Sequence, residues 1–521
     1  MEGGGEAIGI FSIVSANQGR LLLEPRDVYR LDLNARWLGV PTELLMENAG
    51  KNVAEEILQR FPESRKIVCV CSRTNNGGDG LVVARHLSLS KIVEVVFIGR
   101  PEQIRTRETR LNWEIIEGLD TVKKHMVKAR EDLVLLEEIL SDVDVVVDAI
   151  FGVGIRGKPR GLEAETIERI NTLKRKYGFK IVSVDVPSGF DCFRGSPTEI
   201  MIDSDVVVTF HDMKKGLDRI GVEIVVKGIG IPRDAEIFVG PGDLLGILKT
   251  RDPWSHKGEY GKILIVGGSK YYTGAPALSA LSALRTGADL AVIFAPSEVA
   301  DTIRSYSPNL IVWSYEGEFF NKDALEPLLE IYRKFDVIVL GPGIGQEKET
   351  LSSIKEAIRT LDKPLVIDAD ALKALAKYGA PKKDIILTPH AGEFKMMFGV
   401  ELPRDIFERA EIVKKMAQEH GVTILLKGHI DVISNGVNVK LNKTGNPGMT
   451  VGGTGDVLTG IIATIRAWKQ TSMDSASVGA FICGLAGDIA YEKYGYELTA
   501  TDVANNIPEA LRKIRDFIRG S

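Results

Sequence analysis

The chain is predicted to be α/β, with two domains in tandem, each a mostly parallel sheet carrying helices on both faces. Three observations predict this. Short β-branched runs alternate with helical stretches throughout, and parallel neighbours can be joined only by a crossover, usually a helix. The length of 521 residues, 44% hydrophobic and 26% charged, suits two or three cores of roughly 150 residues each. Glycine-rich polar segments recur where apolar runs end, and such sheets hold ligands at the carboxyl ends of their strands.

Residues 1–23 are expected to be an N-terminal extension, glycine-rich and without a clear period. From Pro25, the spacing of Val28, Leu31, Leu33 and Leu38, then of Leu44, Leu45, Met46, Ala49, Val53, Ile57 and Leu58, predicts two amphipathic helices. Strands follow at 67–71, 93–98, 143–151, 180–186, 206–210 and 222–226, giving a first domain over 24–240. Three segments should meet at one edge of that sheet. They are Asn75-Asn76-Gly77-Gly78-Asp79-Gly80 as a loop before a helix at 81–87, Asp148 to Lys158, and Asp185 to Asp191.

Glycines before a helix let backbone N–H groups approach a diphosphate, Arg156 and Lys158 can neutralise it, and the oxygens of Asn76, Asp148 and Ser188 suit a hard cation. A tight turn is the other reading of the asparagines and glycines. Asp148 ends an apolar strand and is the expected proton-transfer carboxylate, since partial burial lifts a carboxyl toward neutrality. A strand-terminating cap is its alternative, and His211 and Lys215 read as surface residues.

Gly240-Pro241-Gly242 and Thr250-Arg251-Asp252-Pro253 mark a linker over 241–253. Strands at 262–266, 290–294, 310–313, 336–340, 364–367, 384–387, 422–426, 431–434 and 437–441 build a second domain over 254–515. No repeat relates the halves, which points to fusion of two domains. The most informative stretch is Asn446 to Asp456, whose Gly452, Gly453, Thr454 and Gly455 feed an apolar helix at 457–465. That is an anion hole in outline, and Asp456 beside it is the expected catalytic base, with a helix N-cap as the alternative. His390 and Lys427 end strands on the same edge, with a turn residue and a solvated lysine as their alternatives.

A net charge of −5 argues against a general nucleic-acid binder. Cys69, Cys71, Cys192 and Cys483 are too few and scattered for a disulfide framework, so buried thiols, no zinc and a reducing cytoplasm are expected. The start lacks a signal peptide's basic region, and no apolar run is expected to reach the length of about 20 that spans a bilayer.

LMENAG at 45–50, NNGGDGLVVARHL at 75–87, DAIFGVGIRG at 148–157 and DVPSGFD at 185–191 together resemble the NAD(P)H-hydrate epimerase domain, a Rossmann-like three-layer fold. The resemblance implies that Asn75, Asn76, Gly77, Gly78 and Asp79, then Gly152, Val153, Gly154, Ile155, Arg156, Gly157 and Lys158, and Asp185, contact a hydrated dinucleotide. It also implies a potassium ion on Asn76, Asp148 and Ser188, with Asp148 the catalytic acid/base. The chain has Ser72-Arg73-Thr74 where that family usually has glycines.

In the second half HKGEYGKILIVGGS, YYTGAPALSALSALRTGADL, GPGIG, TPHAGEF, LLKGHID and NPGMTVGGTGDVLTG resemble the ADP-dependent NAD(P)H-hydrate dehydratase domain, which is ribokinase-like. This implies ADP, with magnesium, at Lys427, Gly428, His429, Ile430, Asp431 and Gly455. Hydrated dinucleotide is implied at Ala275, at the GPGIG glycines including Gly343 and Gly345, and at His390 and Asp456. Together the halves resemble the bifunctional NAD(P)H-hydrate repair family. The expected activities are an isomerase and a lyase acting in the cytoplasm on NAD(P)H-hydrate with ADP, with no nucleic-acid or membrane partner and a homo-oligomeric state. A vitamin or sugar kinase, and a non-catalytic binding module for the first half, are the competing readings.

Overall fold

The computed structural model describes residues 22–376 and 383–520. All of the expected N-terminal extension except Leu22 and Leu23 lies outside the described residues. The rest divides into two compact units, one up to Pro232 and one from Arg233. The break precedes the Gly240 boundary read from sequence because the segment after Arg233 packs on the second unit. Val239 N–H donates to Leu441 O at 2.8 Å, and Lys440 pairs with Asp243 at 2.9 Å.

The first unit is built on strands β1 (Lys66–Cys71), β2 (Ile92–Ile98), β3 (Val122–Val127), β4 (Val145–Ala149) and β5 (Lys180–Val184), a small hairpin of β6 (Phe190–Asp191) and β7 (Ser196–Pro197), then β8 (Val206–Phe210) and β9 (Glu223–Lys227). Seven of them form one sheet in the order β3-β2-β1-β4-β5-β8-β9, every pair parallel. Val68, Val70, Val96 and Val146 pack one face against Ile167, Ile170 and Leu173 of the helix Gly161–Tyr177. Strand β3 was not anticipated, since Lys123, Lys124 and His125 break the apolar pattern. It is an edge strand, where lysines discourage pairing with another chain.

The second difference bears on the site. NNGGDG is not a loop but the opening of the helix Asn75–Leu87, capped by Thr74, whose hydroxyl accepts from Gly77 N–H at 3.4 Å. The glycines serve close approach: a methyl group at Gly77 would lie 1.9 Å from Ser72 O, and one at Gly80 2.4 Å from Ala149 Cβ. Ser72 Oγ donates to Ile150 O at 2.6 Å and Arg73 pairs with Glu163 at 3.2 Å, which ties the turn before this helix to its neighbours.

The second unit carries β10 (Lys262–Val266), β11 (Leu290–Pro296), β12 (Ile311–Tyr315), β13 (Val337–Leu340), β14 (Leu365–Ile367), β15 (Ile385–Leu387), β16 (Thr423–Leu426), β17 (Asp431–Ser434) and β18 (Val439–Asn442). Their order is β12-β11-β10-β13-β14-β15-β16-β17-β18, parallel up to β16 and antiparallel for the last two pairs. One sheet face is covered by the helices Gly274–Thr286, Thr454–Ala467, Ser472–Tyr494 and Ala500–Arg519. The expectation that no apolar run approaches a membrane-spanning length is corrected. The stretch Ser472–Glu497 is long and apolar enough by length and composition, and 89% of its apolar window is buried inside the unit.

Two candidate active sites

In a doubly wound sheet the strand order reverses once, and the loops leaving the two strands at that point splay apart to form a crevice. In the first unit the reversal lies between β1 and β4, in the second between β10 and β13.

In the first unit a cavity of about 1010 Å³ lies against these loops. Of the residues singled out from sequence, Asn75, Asn76, Asp79, Gly152, Val153, Gly154, Ile155 and Asp185 line it. Gly77 and Gly78 do not; they are buried in the helix against Ser72 and Met46. Nor do Arg156, Gly157 and Lys158, the expected diphosphate neutralisers. Arg156 lies 5.1 Å over the Phe193 ring, Gly157 N–H donates to Asp191, and Lys158 pairs with Glu199 at 3.2 Å.

Asp148 is the next-to-last residue of β4, 1% exposed and not among the residues that line the cavity. Its Oδ1 accepts from Ser188 Oγ at 2.5 Å and Ile150 N at 3.4 Å, its Oδ2 from Ser183 Oγ at 2.8 Å and Ser188 N at 2.9 Å. Burial raises its carboxyl against these donors. In this arrangement the Asp148 carboxylate ties down the Ser188 loop, and its four hydrogen bonds all come from within the protein. A cation fits the same corner. Phe151 N–H donates to Ser188 Oγ at 2.8 Å, a methyl at Gly152 would lie 2.9 Å from Asn76 Nδ2, and Asn76 Oδ1 is buried without a hydrogen-bond partner.

The groups that face the cavity with chemistry to offer are Asp32, Asp79, Glu108, Asp185, His211 and Lys214. Asp185 stands at φ 67°, a left-handed conformation that costs an aspartate on the order of 1 kcal/mol and marks functional strain. Its carboxylate is held 2.6 Å from Lys214 Nζ, whose side chain is buried and also donates to Phe210 O at 2.6 Å. His211, read as a surface residue, is a cavity residue at φ 66°. Lys215, read the same way, pairs with Glu24 at the surface. Burial lifts the Asp32 carboxyl to about 6, Lys214 opposing and Asp185 reinforcing, and burial with Asp185, Asp32 and Glu108 nearby lifts Asp79 well above the usual carboxylate range.

In the second unit the helix Thr454–Ala467 begins at Gly453, whose φ of 98° turns the chain into it. A methyl at Gly453 would meet Leu278 Cδ1 at 2.7 Å and Ala500 Cβ at 2.9 Å. Upstream, Asn446 Nδ2 and Gly445 N–H both donate to Asp488, pinning the glycine stretch to the helix Ser472–Tyr494. Asp456 is the third residue of its helix, so the N-cap alternative falls to Gly453. Burial, with Asp368 and Asp370 adding and Lys427 opposing, lifts its carboxyl to about 7. Lys427 is no solvated lysine: its Nζ lies 2.7 Å from Asp368, and a methyl at Gly455 would lie 3.3 Å from that Nζ and 3.4 Å from Asp368 Oδ2.

On one side of this helix start is a cavity of about 320 Å³ walled by Lys427, Gly428, His429, Asp431, Thr454 and Gly455. Ile430 points instead into the sheet packing, and Asp431, lifted to about 6 by burial, accepts from Gly428 N–H and Asn442. The GPGIG loop lies at the crevice between β10 and β13. Ser269 Oγ donates to Gly343 O at 2.8 Å, and a methyl at Gly343 would lie 2.8 Å from Tyr272 Cβ and 3.3 Å from Ala275 Cβ. Gly345 lies farther along this loop, beside Phe319 and Glu347. Ser279, one turn along from Ala275, donates to Asp456 O at 2.9 Å, so both crevice loops and Asp456 share one helix as a ruler. His390 caps the helix Ala391–Phe398 through Nδ1, accepting from Gly392 and Glu393 N–H at 3.0 and 3.2 Å, and its ring remains 61% exposed. Gly452 has open space around its Cα.

Two family descriptions match: NAD(P)H-hydrate dehydratase over residues 263–509, and YjeF-related protein N-terminus over 42–216. The bifunctional NAD(P)H-hydrate repair enzyme Nnr of Pyrobaculum aerophilum is 42% identical over 495 residues, covering 94% of this chain and 97% of that protein. The enzyme of the same name from Methanothermobacter thermautotrophicus is 43% identical over 503 residues, covering 94% and 95%. The chain belongs to the bifunctional NAD(P)H-hydrate repair enzymes. The ADP/ATP-dependent NAD(P)H-hydrate dehydratase of Bacillus subtilis, co-crystallized with ATP/Mg2+, is 29% identical with a TM-score of 0.48, covering 53% of this chain and 98% of that one.

For a bifunctional NAD(P)H-hydrate repair enzyme, the sequence reading missed Asp32, Glu108 and Lys214 in the first unit, whereas Asp368 and Asp370, which follow a strand in the second, stand beside Asp456 as their place in the sequence implies. Asp32 could have been found, because it follows Val28 and Leu31 at helical spacing and so places a carboxylate on an inward stripe. Lys214 had no such signal. Its burial depends on the Asp185 partner, and that pairing is tertiary.

Proposed function

We propose that the two sites take successive steps on one damaged nucleotide. Water adds to the enamine of a dihydronicotinamide with its hydroxyl on the carbon beside the ring nitrogen, creating R and S forms. The first unit interconverts the R and S forms of NADH- or NADPH-hydrate, and the second dehydrates the S form while ADP becomes AMP and phosphate.

Asp456 carries this reading: a carboxylate lifted to about 7 at the open start of a helix, beside Lys427 and next to a cavity on the scale of a nucleotide base and sugar. It accepts the proton of the ring hydroxyl as that oxygen attacks the terminal phosphoryl group of ADP. The C–O bond then breaks with phosphate as leaving group, and the neighbouring carbon gives up a proton to the departing phosphate, restoring the double bond. The N–H groups of Thr454 and Gly455 and the ammonium of Lys427 receive the phosphoryl charge.

Magnesium bound with the nucleotide would neutralise phosphate charge. Among the described residues no group of three or more His, Cys, Asp or Glu side chains is arranged to hold a metal, so the phosphates with Asp368 and Asp370 would carry it. In the first unit Asn76, Asp148 and Ser188 would hold a potassium ion, supported by the orphaned Asn76 oxygen, and its charge would favour a substrate diphosphate near the Phe151–Gly152 turn.

The test is Asp456→Asn in the full chain, given an R/S mixture of hydrated NADPH with ADP and magnesium. Dehydration should stop while exchange between the epimers continues. A phosphorylated product that accumulates would favour a kinase.

A further inference from the structure

We propose that Asp32 is the general acid of the first site, donating its proton to the hydroxyl of the hydrate and taking one back as water returns on the opposite face. This rests on the epimerase reading of that unit. Asp32, Asp79 and Asp185 line one cavity with Lys214, whose Nζ lies 2.6 Å from Asp185 and so engages that carboxylate; of the two guanidiniums on the same wall, Arg73 pairs with Glu163, and neither Arg73 nor Arg105 is among the charges that act on Asp32. Among the described residues neither Asp32 nor Asp79 carries a hydrogen-bond or ion-pair partner. Buried carboxylates crowded around one ammonium resist ionising together, so the corner of the cavity around Lys214 holds at least one neutral carboxylic acid near neutral pH.

Asp32 is the better placed of the two. It projects from the helix Pro25–Trp37 on the stripe of Val28 and Leu31 toward Lys214, while Asp79 sits inside the glycine-opened helix Asn75–Leu87 that faces the expected diphosphate. The groups facing Asp32 are Lys214 and His211, which favour its anion, Asp185, Glu108 and Asp79, which oppose it, and the Tyr29 hydroxyl, which its charge holds protonated. Burial prevails and lifts its carboxyl to about 6.

The step balances. The Asp32 O–H proton passes to the hydroxyl oxygen, the C–O bond breaks, and water departs with the electron pair, leaving a ring cation shared with the adjacent nitrogen. Water then adds to either face, and its extra proton returns to the Asp32 carboxylate. Asp185 and Glu108 on the cavity wall place carboxylates where they suit a transient cation.

The experiment measures exchange between chromatographically separated R and S hydrates by the full chain, without ADP, over a range of pH. The wild-type rate should fall as pH rises through the acid's value, because the donor must be protonated. Asp32→Asn should lose about 100-fold or more of the exchange rate with the Michaelis constant for hydrate within about threefold, and Asp32→Glu should recover part of it. ADP-dependent dehydration of pure S hydrate should be unchanged in both. A wild-type profile that is flat or rises with pH overturns the proposal without any variant. Asp32→Asn within about fivefold of wild type, or losing hydrate binding together with rate, also overturns it. Absence of exchange in the wild type would instead sink the epimerase reading beneath it.

Discussion

Asp456 and Asp148 began as equivalent candidates, two aspartates at the mouths of two α/β crevices, and their surroundings separate them. The Asp456 carboxyl is lifted to about 7 by burial, with Asp368 and Asp370 adding and Lys427 opposing, and the residue stays only partly buried at the start of its helix. A base must be ionised, so dehydration should rise with pH through about 7 and level off above it. A profile of kcat/KM against pH checks this, and a rate that falls across that range would contradict it. Asp456→Asn should lower dehydration by about 100-fold or more without slowing epimer exchange.

Asp148 has four donors on its two oxygens. Asp148→Ala would strand those donors, each unsatisfied group costing about 1–3 kcal/mol, and should lower the melting temperature of the first unit. The sequence marked both aspartates because each ends or follows an apolar run. It could not show which would be enclosed, since that depends on Ser183 and Ser188 arriving from another strand and its loop.

The glycine motifs act at the level of helices. NNGGDG read as a loop because its composition is that of turns, whereas in the fold it starts a helix whose backbone lies against β1 and β4. Local propensity lost to packing: the helix can approach the sheet only where it has no side chains. Gly77→Ala should therefore destabilise the first unit by about 1–3 kcal/mol through overpacking, seen as an earlier urea midpoint with the dehydratase activity retained. In GTGD the same composition behaved as read, because Gly453 supplies the left-handed turn and the apolar run after Asp456 buries the rest of the helix. Most strands were legible from β-branched runs; the edge strand β3 was not, because an exposed edge needs no apolar period.

At the scale of the whole chain, two sheets each reverse strand order once, and each reversal carries a crevice with its own carboxylates. The order of the strands cannot be read from their sequence, but the chemistry at their ends can. That is why the site motifs were legible before the topology was. The relatives match across nearly the full length, so both sites belong to one family and not to a chance fusion.

The most direct test of the two-site account follows nicotinamide absorbance when the full chain meets an R/S mixture of hydrated NADPH with magnesium, potassium and ADP. Recovery should run to completion, with the R form consumed through the S form, and in Asp456→Asn recovery should stop while the two forms still exchange. Recovery that halts once the S form is spent would contradict an active first site, and loss of both exchange and dehydration in Asp456→Asn would contradict two separate sites.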